Sequence, residues 1–374
     1  MNPLPIIRPV FGAEELEYLR RCLESGHVTQ GPFVADFERR FAAWQGSAHA
    51  LAVTSGTTAL HLALLALDVG PGDEVLVPSF TFAATANAVE YTGARPVFVD
   101  VDPATFNMDM GHAVSYVTSR TKTIMPVHQF GLCADMDAVA MLADRHSLSV
   151  VEDAACAAGS ACKGSNAGTM GDIACFSFHP RKVITTGEGG MATTDNAGLA
   201  ARMGILRNHG ASPVVGASHP WTMPAYDTCG YNFRMSDIQA AVGCAQMDKI
   251  DVILAERARI ASLYSKALTG VASIVIPTVP PGYRHSWQSY VIRFPAGMQA
   301  RNNAAERMAK AGIQTRSGTH AVHRLGYYAK KYGITVESCP NAALCEDTSL
   351  ALPVVHGMTE DDVARVADML SETE

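Results

Sequence analysis

Residues 49–70 read HALAVTSGTTALHLALLALDVG. The opening HALAVTS is a short apolar run of strand character, and TALHLALLALDVG has the length and residue types of a helix closed by glycine. Between them SGTTAL, Ser55 to Leu60, forms a turn of small residues that opens the helix. The same alternation continues to residue 194. EVLVPSF is followed by AATANAVEYTG, then by PVFVDVD and TIMPV; DMDAVAMLADRH leads into LSVVED, and DIACFSF and GGMATT are further short apolar runs. Strands alternating with helices predict crossover units and a mostly parallel sheet covered on both faces.

Outside this stretch the pattern changes. FGAEELEYLRRCLESG predicts a helix, with Glu in its first turn and Gly past its end. After about residue 195, NAGLAARMGILRNHG, MSDIQAAVGCAQMDKI and DVILAERARIASLYSKAL read as helices, the last two continuous or kinked. QSYVIRF is an alternating strand, AAERMAKAG a helix and TEDDVARVADMLSE a terminal helix. The expected organisation is a large α/β domain over residues 1–248 and a smaller α+β domain over 249–374.

Composition narrows the function. With 374 residues, 48% hydrophobic and 17% charged, the chain has an ordinary globular make-up and enough length for about two domains. Its net charge of −7, with no Lys/Arg block, argues against a nucleic-acid or anionic-membrane surface. The first residues show no signal-peptide pattern, and no apolar stretch is long enough to span a bilayer. Nine scattered cysteines without a CxxC pair predict reduced thiols in a cytoplasmic protein. No metal is expected, because His320 and His323 lack further ligands at metal-site spacing.

Four features fall at predicted strand ends, where open α/β sheets bind ligands. The SGTT turn (Gly56, Thr57, Thr58) offers free N–H groups and a helix dipole to a phosphate, although such a turn alone is more often a cap. Asp153 ends VVED; alone it reads as a helix cap, and its functional reading is a partner for a ring-nitrogen cation. In FSFHPRKVITTGEGG, Ser177 offers a hydroxyl and Lys182 follows five residues later; a loop lysine alone is usually a solvated charge. In GYNFRMSDIQAA, Asn232 and Arg234 precede a helix capped by Ser236 or Asp237. Together, a phosphate cradle, an aspartate after a strand and a later lysine match the needs of pyridoxal 5′-phosphate. Phe82, after another strand, is available for the face of its ring.

The chain resembles the DegT/DnrJ/EryC1/StrS family of sugar aminotransferases, on the fold-type I architecture. The resemblance runs through GHVTQGPFVADFERRFAAWQG, SGTTALHLALLAL, GDEVLVPSFTFAATANAV, PVFVDVDPATFNMD, VHQFGLCADMDAV, VVEDAACAAG, FSFHPRKVITTGEGG, LRNHG, GYNFRMSDIQAAVG and SLALPVVHGMTEDDV. It implies that Lys182 holds pyridoxal 5′-phosphate as a Schiff base and serves as acid and base, and that Asp153 partners the pyridine nitrogen. It also implies that Phe82 lies on the ring and that Gly56, Thr57, Thr58 and Ser177 take the phosphate. Asn232 would reach the neighbouring subunit's cofactor, which implies a homodimer with shared sites. Cys156 stands where many members carry Gln or His beside the cofactor's phenolic oxygen, and a thiol is a weaker donor.

The implied reaction moves an amino group from L-glutamate to a keto group of a nucleotide-linked sugar, in two half-reactions. Deoxygenating relatives replace the lysine with His; Lys182 is present, and His179 is not that substitution. Thr29, His179, Arg316, His320 and His323 are candidates for substrate contact, by resemblance to the family's variable segments. A non-nucleotide ketone, such as an aminocyclitol precursor, is the alternative acceptor. A non-catalytic cofactor-binding regulator is the rival reading, against which no DNA-binding appendage is visible.

Overall fold

Runs such as EVLVP and GMATT bury all five of their residues, so their strands lie inside a covered sheet rather than at a wet face. The computed structural model describes residues 3–212, 219 and 221–371. Its central sheet has seven strands: β1 (His49–Val53), β2 (Glu74–Pro78), β3 (Arg95–Val99), β4 (Thr121–Ile124), β5 (Ser149–Asp153), β6 (Ile173–Ser177) and β7 (Gly190–Thr194). Their spatial order is β1–β7–β6–β5–β4–β2–β3. From β6 to β3 every pairing is parallel, whereas β7 is antiparallel to both β1 and β6. The exception has a local cause. No helix lies between β6 and β7, so the chain returns as a neighbour running the other way.

The sheet is flanked by α1 (Ala13–Ser25), α2 (Pro32–Gln45), α3 (Gly56–Ala66), α4 (Ala83–Tyr91), α5 (Met136–His146), α6 (Ala197–Leu206) and α7 (Asp237–Met247). Helix α3 is buried on every side, with Leu60, Leu62 and Leu64 each at most 2% exposed. Each such leucine stabilises the fold by roughly 1.5–3 kcal/mol. The two helical stretches expected around residue 248 are separate. Lys249 leaves helical geometry (φ −126°), and its Nζ pairs with Glu15 of α1 at 2.7 Å.

Beyond α7 the chain builds a second apolar core from α8 (Ile250–Leu268), β8 (Tyr290–Arg293), α9 (Met298–Lys310), β9 (Ser349–Leu352) and α11 (Glu360–Ser371), with Leu4 packed among them. Helix α10 (Pro340–Thr348) behaves differently, sending Ala342 and Cys345 into the core of the large sheet. The pairing of His320–Ala321 with Phe80–Thr81 ties the C-terminal segment to the loop after β2.

Candidate active site

The C-terminal end of β5 carries two adjacent carboxylates, and strand alternation sends them to opposite faces. Glu152 is fully buried on the structural side. It accepts Nε2–H of His128 at 2.8 Å and the backbone N–H groups of Gly168, Met170 and Gly171, each at 2.7 Å. His128 Nδ1 accepts from Ala134 N, which leaves the proton on Nε2. Asp153, 4% exposed, accepts the Thr85 hydroxyl at 2.8 Å and the Ala155 amide at 3.2 Å. Burial pushes its pKa upward, although those two donors and the charge of Lys182 pull the other way. The upward direction marks a carboxylate that a cationic ring N–H would stabilise.

Lys182 lies in the loop between β6 and β7. Thr186 N–H and the Thr185 hydroxyl both donate to Phe178 O, and Phe178 N–H donates to Gly189 O. Phe178, Val183 and Ile184 are buried and anchor the loop, and Lys182 N–H donates to His179 O at 2.8 Å. Lys182 Nζ donates to Cys156 Sγ at 3.0 Å. Cys156 thus touches the very lysine that the resemblance makes reactive.

Helix α3 begins at the same rim. Ser55 is its N-cap, accepting from Thr58 N–H at 3.1 Å, and the Thr58 hydroxyl lies 3.0 Å from that of Thr54. Gly56 is a close approach: a Cβ there would stand 2.8 Å from Ser177 Cβ. Gly190 is tighter still, since its Cβ would meet the Ser55 carbonyl oxygen at 2.3 Å. Gly190, the last glycine of TTGEGG, therefore makes room for the helix-opening turn. Phe82, at the N-cap of α4, is 59% exposed, an open aromatic face beside otherwise buried strand ends.

The remaining candidates spread more widely. Thr29 is exposed, and its carbonyl accepts from Asp237 N–H. Asp237 itself caps α2, accepting from Gly31, Phe33 and Val34 N–H, while Ser236 caps α7. His179 is held toward its neutral form by burial and by the charges of Arg181, Lys182 and Arg316. Arg316 pairs by backbone with Ala351 and shares a small cavity with Arg181 and Gln288. His320 is exposed, 3.7 Å from Glu346. His323 is fully buried: its Nε2 donates to Val336 O, leaving Nδ1 to accept the Ser79 hydroxyl at 2.5 Å. It braces the interior and is not brought to Lys182. Asn232 is exposed on an edge segment that bridges to Asn208, whose side chain accepts from Arg234 at 2.6 Å.

Glu152, His128 and Thr85 were not singled out in the sequence. Alternation within VVED was the available signal for Glu152, because two successive carboxylates at a strand end need two different partners. Among the described residues, no group of His, Cys, Asp and Glu forms a metal site, and no helix is long and apolar enough to cross a membrane.

Comparison with known proteins points to one family. The DegT/DnrJ/EryC1/StrS aminotransferase family matches residues 9–371. GDP-perosamine synthase of Caulobacter vibrioides is 40% identical over 378 residues, covering 100% of this chain and 99% of the relative. The spore coat polysaccharide biosynthesis protein SpsC of Bacillus subtilis is 38% identical, covering 99% and 96%. Among solved structures, Spr1654 from Streptococcus pneumoniae in its PLP-form superposes with a TM-score of 0.93 at 28% identity, covering 99% of this chain and 98% of that one. Its PMP-form superposes equally well.

Proposed function

The chain belongs to the DegT/DnrJ/EryC1/StrS aminotransferase family, and on that premise we propose that it carries an amino group from L-glutamate to the keto carbon of a nucleotide-linked sugar. It is a pyridoxal-phosphate-dependent sugar aminotransferase of amino-sugar biosynthesis. The observation that carries the reading is the meeting of a buried Asp153, Lys182 and the close Gly56–Ser177 approach at one edge of the sheet. A nucleotide-linked acceptor is supported by the name of the Caulobacter vibrioides relative, a GDP-perosamine synthase.

The residues present fit the cofactor. The α3 N-terminus and Ser177 leave a cradle that a Cβ at Gly56 would fill, and Asp153 is a desolvated carboxylate suited to a cation. When bound, pyridoxal phosphate supplies an electron sink for the carbon that loses its proton. Asp153 holds a proton on the ring nitrogen, and Thr85 and Ala155 fix the carboxylate that does so. The amides opening α3, with Ser177, Thr57 and Thr58, bind the phosphate, and Phe82 covers the ring. Lys182 Nζ would take the donor's Cα proton and return it across the shared amino nitrogen, to the cofactor carbon on the other side. Cys156 Sγ, its hydrogen-bond partner, holds that amine at the site.

The second subunit of a homodimer would complete the site through Asn232. In support, segment 221–232 leaves Trp221, Met223 and Tyr226 at least 60% exposed. We take residues 1–248 as the cofactor-binding unit and 249–374 as the smaller one. All nine cysteines are free thiols, which suits the cytoplasm.

The test is spectroscopic. Purified enzyme is expected to absorb in the visible, to bleach with L-glutamate and to regain colour with a keto-sugar nucleotide, in ping-pong kinetics. Colour restored only by a free cyclitol ketone would transfer the acceptor to the other class. A protein that glutamate leaves unbleached would overturn the donor.

A further inference from the structure

Arg181 and Arg316 face one small cavity lined also by Gln288, Ser289, Ile6 and Val354. Neither guanidinium has a hydrogen-bonded or ion-paired partner among the described residues. Most other arginines near acidic groups are paired, as Arg207 is with Glu38 and Arg324 with Glu346 and Asp347. Two unpaired cations at one cavity are a poor use of a chain whose net charge is −7, unless the ligand is an anion. Burial depresses the Arg316 guanidinium, the nearby charge of Arg181 depresses it further, and Cys156 partly offsets both. An anion placed between the arginines relieves both penalties.

Position selects which anion. Arg181 directly precedes Lys182, and its carbonyl accepts Gln288 Nε2–H at 2.8 Å, which fixes the backbone at that point. Arg316 lies within electrostatic range of Cys156, whose sulfur is 3.0 Å from Lys182 Nζ, and both arginines lie within that range of His179 on the Lys182 loop. The pair therefore sits beside the reacting amine. In an α-amino acid the carboxylate is bonded to the carbon whose proton Lys182 moves, so it must lie there. In a nucleotide-linked sugar the diphosphate is a ring's width from the keto carbon. A guanidinium fork also matches a carboxylate in two parallel hydrogen bonds. Resting on the aminotransferase reading above, we infer that Arg181 and Arg316 are the anchor for the α-carboxylate of the amino donor.

The experiment uses the cofactor-loaded full chain and three probes: L-glutamate, followed by bleaching; unreactive glutarate, followed by calorimetry; and GDP and UDP, followed by calorimetry. Visible absorbance and wild-type bleaching are established first, so that failure of the enzyme reading is seen separately. Arg316→Gln and Arg181→Gln are each expected to weaken glutamate and glutarate by roughly 10- to 100-fold. Arg316→Lys is expected to recover part of the loss, and GDP or UDP affinity to change less than glutarate affinity. Arg181 is exposed, so its variant keeps the test open if Arg316→Gln fails to fold. Unchanged glutamate and glutarate affinity, or a larger loss for GDP or UDP than for glutarate, overturns the assignment.

Discussion

Lys182 Nζ and Cys156 Sγ are hydrogen-bonded at 3.0 Å, joining the loop after β6 to the turn after β5. Removing the amine removes the group that moves the proton: Lys182→Ala is expected to slow the glutamate half-reaction by about 10²–10⁴-fold, read by stopped-flow absorbance. The cofactor should also cover the sulfur. Iodoacetamide is expected to label half-buried Cys156 more slowly in cofactor-loaded than in cofactor-free protein, with exposed Cys229 labelling alike in both. Peptide mass spectrometry reads both thiols together.

Asp153 makes the cofactor-free protein sensitive to pH in a defined direction. Its folded pKa is raised above 3.8 by burial, so its stabilising contribution is full below that value and is lost as pH rises through the raised one. Asp153→Asn removes the penalty. The melting temperature of cofactor-free Asp153→Asn should gain on wild type as pH climbs through that window, while glutamate bleaching is lost. A gap that narrows with rising pH would show the carboxylate to be unstrained.

Glu152 accepts four hydrogen bonds, and all of them come from donors. Glu152→Gln turns an N–H toward donors that cannot accept it. A loss of about 2–5 kcal/mol is expected in urea unfolding at unchanged m-value. Less than about 1 kcal/mol would mean that the loop over residues 168–171 relaxes freely.

His285 stacks on Trp287 at 4.0 Å, and its Nδ1 accepts Trp287 N–H. Burial lowers its pKa to about 3 from 6.5. The unfolded chain therefore takes up this proton first, and stability falls as pH drops from 6.5 toward 3. A single site of this kind is worth on the order of a few kcal/mol. His285→Asn keeps an acceptor without the titration, so its chemical denaturation midpoint should fall less steeply with acid.

Gly56→Ala puts a methyl group 2.8 Å from Ser177 Cβ, which is tied to the backbone and cannot swing aside. The expected cost is about 1–3 kcal/mol by thermal unfolding, with faster cofactor loss on dialysis.

The parts legible in sequence were those in which local pattern and chemistry coincide. Strand–turn–helix alternation places Asp153, Ser177 and the SGTT turn at strand ends, and the structure puts all three there. Long-range contacts hid the rest. His323 looked available in a polar segment, yet Val336 and Ser79, the latter 244 positions away in the chain, enclose it. Asp237 looked like a cap for its own helix, but its carboxylate serves α2 more than 200 residues earlier. Glu152 escaped notice because three of its four partners are backbone amides, which no residue type announces. The reversed direction of β7 follows from the missing helix before it, which apolar runs alone do not reveal.

The β6–β7 loop is closed at its own neck, by Phe178 against Gly189 and Thr186. Its tip is therefore a cassette: residues 179–181 can be exchanged without re-registering Ser177 against Gly190. A scaffold built this way separates inheritance from invention. The neck and strands hold the lysine in place, while three neighbouring positions are free to set what the lysine works on.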